Sequence, residues 1–140
     1  MKKQQGFTLI ELLVVIAIIG LLSTLAVVAL NNARMKSRDA KRVSDVKQIQ
    51  TALELYYNDA NAYPAAVTGG GTIATGGVTY MAAVPTNPAP IADGTLCAAA
   101  ATIYTYAAVG TTSYTLTYCL GGTAGGITAG PHTASPGGIQ

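Results

Sequence analysis

An apolar run from Leu12 to Leu30, entered through Gly6-Phe7-Thr8-Leu9-Ile10-Glu11, limits what this chain can become. Together, Phe7 to Leu30 make roughly 24 membrane-compatible residues, at about 1.5 Å each long enough as a helix to cross a hydrocarbon core of about 30 Å. One ionisable group, Glu11, sits near its start. A carboxylate in such a segment is costly, and its presence points to function.

The remaining residues of a 140-residue chain suffice for one small core. The net charge of +2 comes from Lys2 and Lys3, and the rest of the chain is balanced. No basic patch marks a nucleic-acid site. Charge is crowded between Arg34 and Asp59, and beyond Asp59 only Asp93 carries any. The chain therefore reads as three zones: apolar, charged, then neutral and rich in Gly, Ala and Thr.

Lys2 and Lys3 before an apolar run also open a secretory signal, with Val27-Val28-Ala29 as a weak cleavage site. A signal core is normally 7 to 15 residues, however, and has no use for Glu11. Met1-Lys2-Lys3-Gln4-Gln5-Gly6 followed by Phe7-Thr8-Leu9-Ile10-Glu11-Leu12 closely resembles the class III leader of type IV pilins and type II secretion pseudopilins. The resemblance implies cleavage by prepilin peptidase after Gly6 and N-methylation of Phe7. Glycine suits that site because the peptidase must approach an extended backbone closely. The resemblance also gives Glu11 a role, neutralising the terminal amine of a neighbouring subunit as helices bundle into a filament. Phe7 and Glu11, four residues apart, would share a helix face. The alternative is that Glu11 snorkels to lipid headgroups.

Gly20, with Ser23 and Thr24 after it, is expected to loosen the helix locally. Many pilins that this chain resembles carry proline at the position of Val28. Counting positive residues alone would put the C-terminal part in the cytoplasm; the resemblance puts it outside, where two cysteines make more sense.

From Asn31 to Asn58, the spacing of Val43, Val46, Ile49, Leu53, Tyr56 and Tyr57 defines one face of a continuing helix. Lys41 and Arg42 stand at helical pair spacings from Asp45. The charges here read as a solvated face, or more sharply as salt bridges between subunits. The helix should stop in Asn58-Asp59-Ala60-Asn61, before Pro64. Tyr56 to Pro64 resembles the helix end of the major type II pseudopilin. Calcium-binding pseudopilins place several carboxylates in their C-terminal loops, whereas this chain has only Asp93, so no calcium site is expected.

Residues 65–77 read as a flexible glycine-rich connection and Val78 to Val84 as a short strand. Thr102 to Val109 and Ser113 to Cys119, around Gly110-Thr111-Thr112, form the clearest hairpin, with Tyr114, Leu116 and Tyr118 on the face that meets the helix. In an exported chain, Cys97 and Cys119 suggest one disulfide closing a loop of about 22 residues; two separate buried thiols are the alternative. Residues 121–140 read as loop or frayed end. His132, the only histidine, lies in that stretch as an exposed residue with no carboxylate or free thiol to complete a catalytic or metal site.

The expected fold is thus α+β, the type IV pilin fold: a long N-terminal helix, first apolar and then amphipathic, packed on a small antiparallel sheet with a C-terminal disulfide loop. The expected divisions are a leader over 1–6, a transmembrane and filament-core helix over 7–30, an amphipathic continuation over 31–60 and a β-rich head over 61–140. No catalytic residue, metal or cofactor is expected. The resemblance implies a homo-oligomeric helical filament as partner, together with prepilin peptidase, an inner-membrane assembly platform and, before assembly, membrane lipid. A surface pilus subunit is the favoured function, because the head is neutral and Thr-rich. A periplasmic pseudopilin for protein export is the alternative, and a single-pass domain that never polymerises is the third.

Overall fold

The computed structural model describes residues 6–90, 93–97 and 104–139. The expected leader residues 1–5, and the first two residues of the expected strand from Thr102, lie outside these. One helix and six strands follow in the order α1 (Leu9–Ala60), β1 (Ile73–Thr75), β2 (Val78–Met81), β3 (Thr105–Val109), β4 (Ser113–Leu120), β5 (Gly130–Ser135) and β6 (Gly138–Ile139). The chain divides into two compact units, 1–34 and 35–140.

In the first unit α1 runs unbroken through Gly20. The hydroxyls of Ser23 and Thr24 donate to the carbonyls of Ile19 and Leu21 at 2.7 and 2.8 Å. Bonding back to the preceding turn in this way keeps these side chains satisfied without interrupting the helix.

In the second unit the helical stripe packs as its spacing predicts. Val46, Ile49 and Leu53 are fully buried, and Tyr114, Leu116 and Tyr118 of β4 meet them in one core with Leu120 and Ala134. Thr117, on the opposite face of β4, is exposed. The helix ends at Ala60, and Asn61 takes φ 52° as its N–H donates to the Tyr57 carbonyl at 2.8 Å. Asparagine tolerates that left-handed conformation, so it closes the helix.

The four-stranded sheet is an antiparallel meander, β3-β4-β5-β6, with Val109 opposite Ser113 across the expected turn. Two stretches expected to lack structure do not. Residues 65–77 contain β1, whose Ile73 is buried and which pairs with β2 around Gly76-Gly77. Both glycines have positive φ, 56° and 83°, as a two-residue hairpin turn requires.

The tail from residue 121 is not frayed either, since it supplies β5 and β6. β5 pairs with β4 from Gly130 to Ala134, and β6 reaches only Ala134 and Ser135. Pro131 therefore sits where β5 has no neighbour on its outer side, which is where a sheet accepts proline. His132 is a half-buried strand residue rather than an exposed tail histidine: its Nε2 lies 2.8 Å from the Thr128 carbonyl and its ring 5.6 Å from that of Tyr118.

The corner between helix and sheet is built of tyrosine. Tyr63 stacks on Tyr57 at 4.6 Å and meets Tyr114 edge-on at 4.8 Å, while its hydroxyl donates to Glu54 at 2.9 Å. The Tyr106 hydroxyl donates to the Pro64 carbonyl at 2.6 Å, and the Tyr63 N–H to the Thr111 carbonyl at 2.9 Å. Tyr63-Pro64 is thereby fastened to the β3–β4 hairpin.

Candidate functional site

The first candidate is the start of α1. Every large apolar side chain from Phe7 to Leu30 is exposed, from 45% at Val15 to 80% at Phe7 and Leu9. The helix holds a stretch long and apolar enough to cross a membrane, none of it buried in the fold. A single patch of this extent marks a surface that belongs against lipid or other helices.

At its tip Thr8 and Glu11 form a capping box. The Thr8 N–H and hydroxyl donate to Glu11 Oε2 at 2.8 and 2.6 Å, and the Glu11 N–H donates to Thr8 Oγ1 at 3.3 Å. Thr8 was not among the residues expected to matter, although its spacing from Glu11 is itself the signature of such a cap. Helix α1 begins at Leu9, so Phe7 precedes it and does not share a helix face with Glu11 here. Gly6 and Phe7 are both exposed.

The second candidate is a buried ionic node in the head. Asp39 and Arg42 lie on α1 within the turn before Val43, Asp45 lies just before Val46, and all three are buried. These three depart from the reading of the charged stretch as a solvated face, which holds for Arg34, Lys36, Lys41 and Lys47, all exposed. Arg42 Nη1 lies 2.6 Å from Asp39 Oδ1 and 3.1 Å from Asp93 Oδ2, while its Nε donates to Asn87 Oδ1 at 2.7 Å. Arg38 grips Asp93 with two of its nitrogens, Nε at 2.5 Å and Nη2 at 2.8 Å. Asp39 also accepts the backbone N–H groups of Gly121 and Gly122, at 3.0 and 2.7 Å.

The guanidinium of Arg38, with Arg42 beside it, holds the Asp93 carboxyl below the usual carboxylate range, against the opposing effect of burial. Burial pushes Asp45 the other way, upwards; the Tyr104 hydroxyl, which donates to it at 3.0 Å, and Lys41 oppose that shift. The expected pairing of Arg42 with Asp45 is replaced by Arg42 with Asp39, one turn earlier.

The disulfide forms as expected. Cys97 and Cys119 are bonded, with Cα atoms 5.8 Å apart, and both are buried. It adjoins a close backbone contact between the segments it joins. A Cβ on Gly94 would lie 2.6 Å from the Gly121 carbonyl oxygen, and one on Gly121 would lie 2.9 Å from the Asp93 backbone. Only glycine allows the Asp93 loop to lie this near the end of β4.

Residues 1–27 match the family described as the prokaryotic N-terminal methylation motif. The type II secretion system core protein G of Vibrio cholerae is 36% identical over 90 residues, 64% of this chain and 56% of that protein. The core protein G of Escherichia coli is 45% identical over 62 residues, 44% of this chain and 43% of that protein. A fimbrial protein of Pseudomonas aeruginosa is 43% identical over 54 residues, 39% of this chain and 35% of that protein. The chain thus spans about half the length of the secretion relatives it matches. No solved structure matches the chain.

Proposed function

We propose that this chain, which carries the N-terminal methylation motif of prepilins and is homologous to type II secretion core protein G, is a pseudopilin: a structural, non-catalytic subunit of a filament serving protein export. The observation that carries this reading is the core protein G of Vibrio cholerae, matched over 64% of the chain. It reverses the preference drawn from the neutral head. The surface pilus subunit stays as the second reading, favoured by the fimbrial match of Pseudomonas aeruginosa.

In this reading prepilin peptidase cuts after Gly6 and the new amine of Phe7 is methylated. The exposed apolar helix anchors the subunit in the inner membrane, then enters a helical bundle of identical subunits with the help of an assembly platform. Once a helix leaves the membrane surface for a low-dielectric bundle, an unpaired Glu11 costs several kcal/mol. A cationic amine from the neighbouring subunit offsets much of that cost in the correct stagger only, which makes the charge a register device. The capping box supports this role, because Thr8 gives Glu11 partners within its own chain until the amine arrives.

Deleting the gene and restoring it in wild-type or Glu11→Ala form tests the proposal. Exported proteins should accumulate in the periplasm of the deletion strain while surface pili persist. Wild-type protein, beginning at N-methyl-Phe7 by mass spectrometry, should restore export; Glu11→Ala should insert in the membrane and fail to restore it. Loss of surface pili with normal export would select the pilus reading, and a mature protein retaining Met1 would remove both.

A further inference from the structure

Calcium-binding pseudopilins implicate a divalent cation in holding the C-terminal loops of the head, and the residues present here do not fit one. Calcium takes about six to eight oxygen ligands. Beyond Asp59 the chain has a single carboxylate, Asp93, and among the described residues no three His, Cys, Asp or Glu side chains gather. Both Asp93 oxygens are already engaged: Oδ1 by Arg38 Nη2 at 2.8 Å, and Oδ2 by Arg38 Nε at 2.5 Å and Arg42 Nη1 at 3.1 Å. A divalent ion placed there would face two guanidinium charges at contact distance.

The other acid that Arg42 holds is no freer. Asp39 is fully buried and divides its oxygens among Arg42, the Gly121 N–H and the Gly122 N–H. Arg42 is itself 1% exposed and reaches, besides the two carboxylates, Asn87 Oδ1 and the Pro90 carbonyl. The node therefore ties three segments to α1: residues 87–90 and Asp93 through the guanidiniums, and Gly121-Gly122 through Asp39. The Cys97–Cys119 disulfide joins two of these segments as well, just after Asp93 and just before Gly121.

We propose that the guanidiniums of Arg38 and Arg42 serve as a built-in cation that tethers the Asp93 loop and the end of β4 to α1, so that this head folds and holds its loops without metal. A planar guanidinium suits the task because it binds a carboxylate through two parallel hydrogen bonds and keeps its charge at any physiological pH. The inference stands on the head alone and does not depend on which filament the chain serves.

The test uses the full chain in detergent, with the near-ultraviolet circular dichroism of its tyrosines reporting the head and elemental analysis reporting bound calcium. The wild type should carry no stoichiometric calcium and should melt at the same temperature in millimolar calcium and in excess EGTA. Arg42→Gln should melt roughly 10 °C or more lower in both conditions. Arg38→Gln, at the more exposed edge of the node, should show a smaller shift and keep the fold measurable if Arg42→Gln does not fold. Stoichiometric calcium, a wild-type midpoint that falls on chelation, or two arginine variants that melt like the wild type would each overturn the proposal.

Discussion

Replacing Asp39 by alanine should be among the most damaging single changes in the head. Its carboxylate holds one guanidinium and two backbone N–H groups, all within 3.0 Å. Removing one partner of a buried ion pair costs about 3–5 kcal/mol. The low end applies, because Arg42 keeps Asp93 and Asn87. The N–H groups of Gly121 and Gly122 lose their acceptor at about 1–3 kcal/mol each, again at the low end because both residues are only half-buried and water can reach them. The two effects together come to about 5 kcal/mol, comparable to the whole stability of a marginal domain.

Asp39→Asn separates the contributions. An amide oxygen can still accept one backbone N–H but offers Arg42 no charge, so it should lose about 3 kcal/mol, mostly the ionic part. Thermal unfolding of the full chain in detergent measures the totals, and hydrogen exchange at the Gly121 and Gly122 amides measures the local effect. Asp39→Ala losing less than about 1 kcal/mol, or leaving both amides as protected as in the wild type, would refute the reasoning.

Two further outcomes follow from the head. Reducing the Cys97–Cys119 bridge, with its separation of 22 residues, should lower stability by about 3 kcal/mol on the chain-entropy estimate, and a melt in strong reductant that matches the oxidised protein would contradict it. Acid should act through two groups of opposite sign. Asp93, lowered first by Arg38, stabilises the fold above its unfolded value of about 3.9 and loses that contribution as pH falls through its folded value. Asp45, raised by burial, favours the fold when protonated and loses that contribution as pH rises through its folded value. Asp93→Asn should therefore flatten the acid limb below about pH 4, while Asp45→Asn should raise the melting temperature at neutral pH; unchanged profiles for both variants would count against the assigned directions.

The parts of the fold legible in sequence are those whose signal is local and periodic. Val46, Ile49 and Leu53 announce a helix face by their spacing, and Tyr114, Leu116 and Tyr118 announce a strand face by alternation, so their meeting in one core could be anticipated. β5 could not. Gly130-Pro131-His132-Thr133-Ala134-Ser135 has almost no intrinsic strand preference and sits among residues that usually mark loops. It becomes a strand because β4 offers an unpaired edge and Ala134, fully buried, is small enough to close the core over Leu116. Tertiary pairing overrides local propensity there.

The ionic node breaks a different expectation, that charge on a helix points to solvent. Helical periodicity already argued otherwise: Asp39 and Arg42 stand seven and four residues before Val46, so they continue its buried stripe, while the exposed Lys41 and Lys47, five before it and one after, lie off it. What no local pattern supplies is the partner. Asp93 is 55 residues from Arg38 and 51 from Arg42, and only the folded topology brings the one remaining carboxylate of the C-terminal half onto the charged turn of α1. A lone acid in a neutral segment is too little for a metal site. In the folded head it is enough, because the cation it needs is carried by the helix.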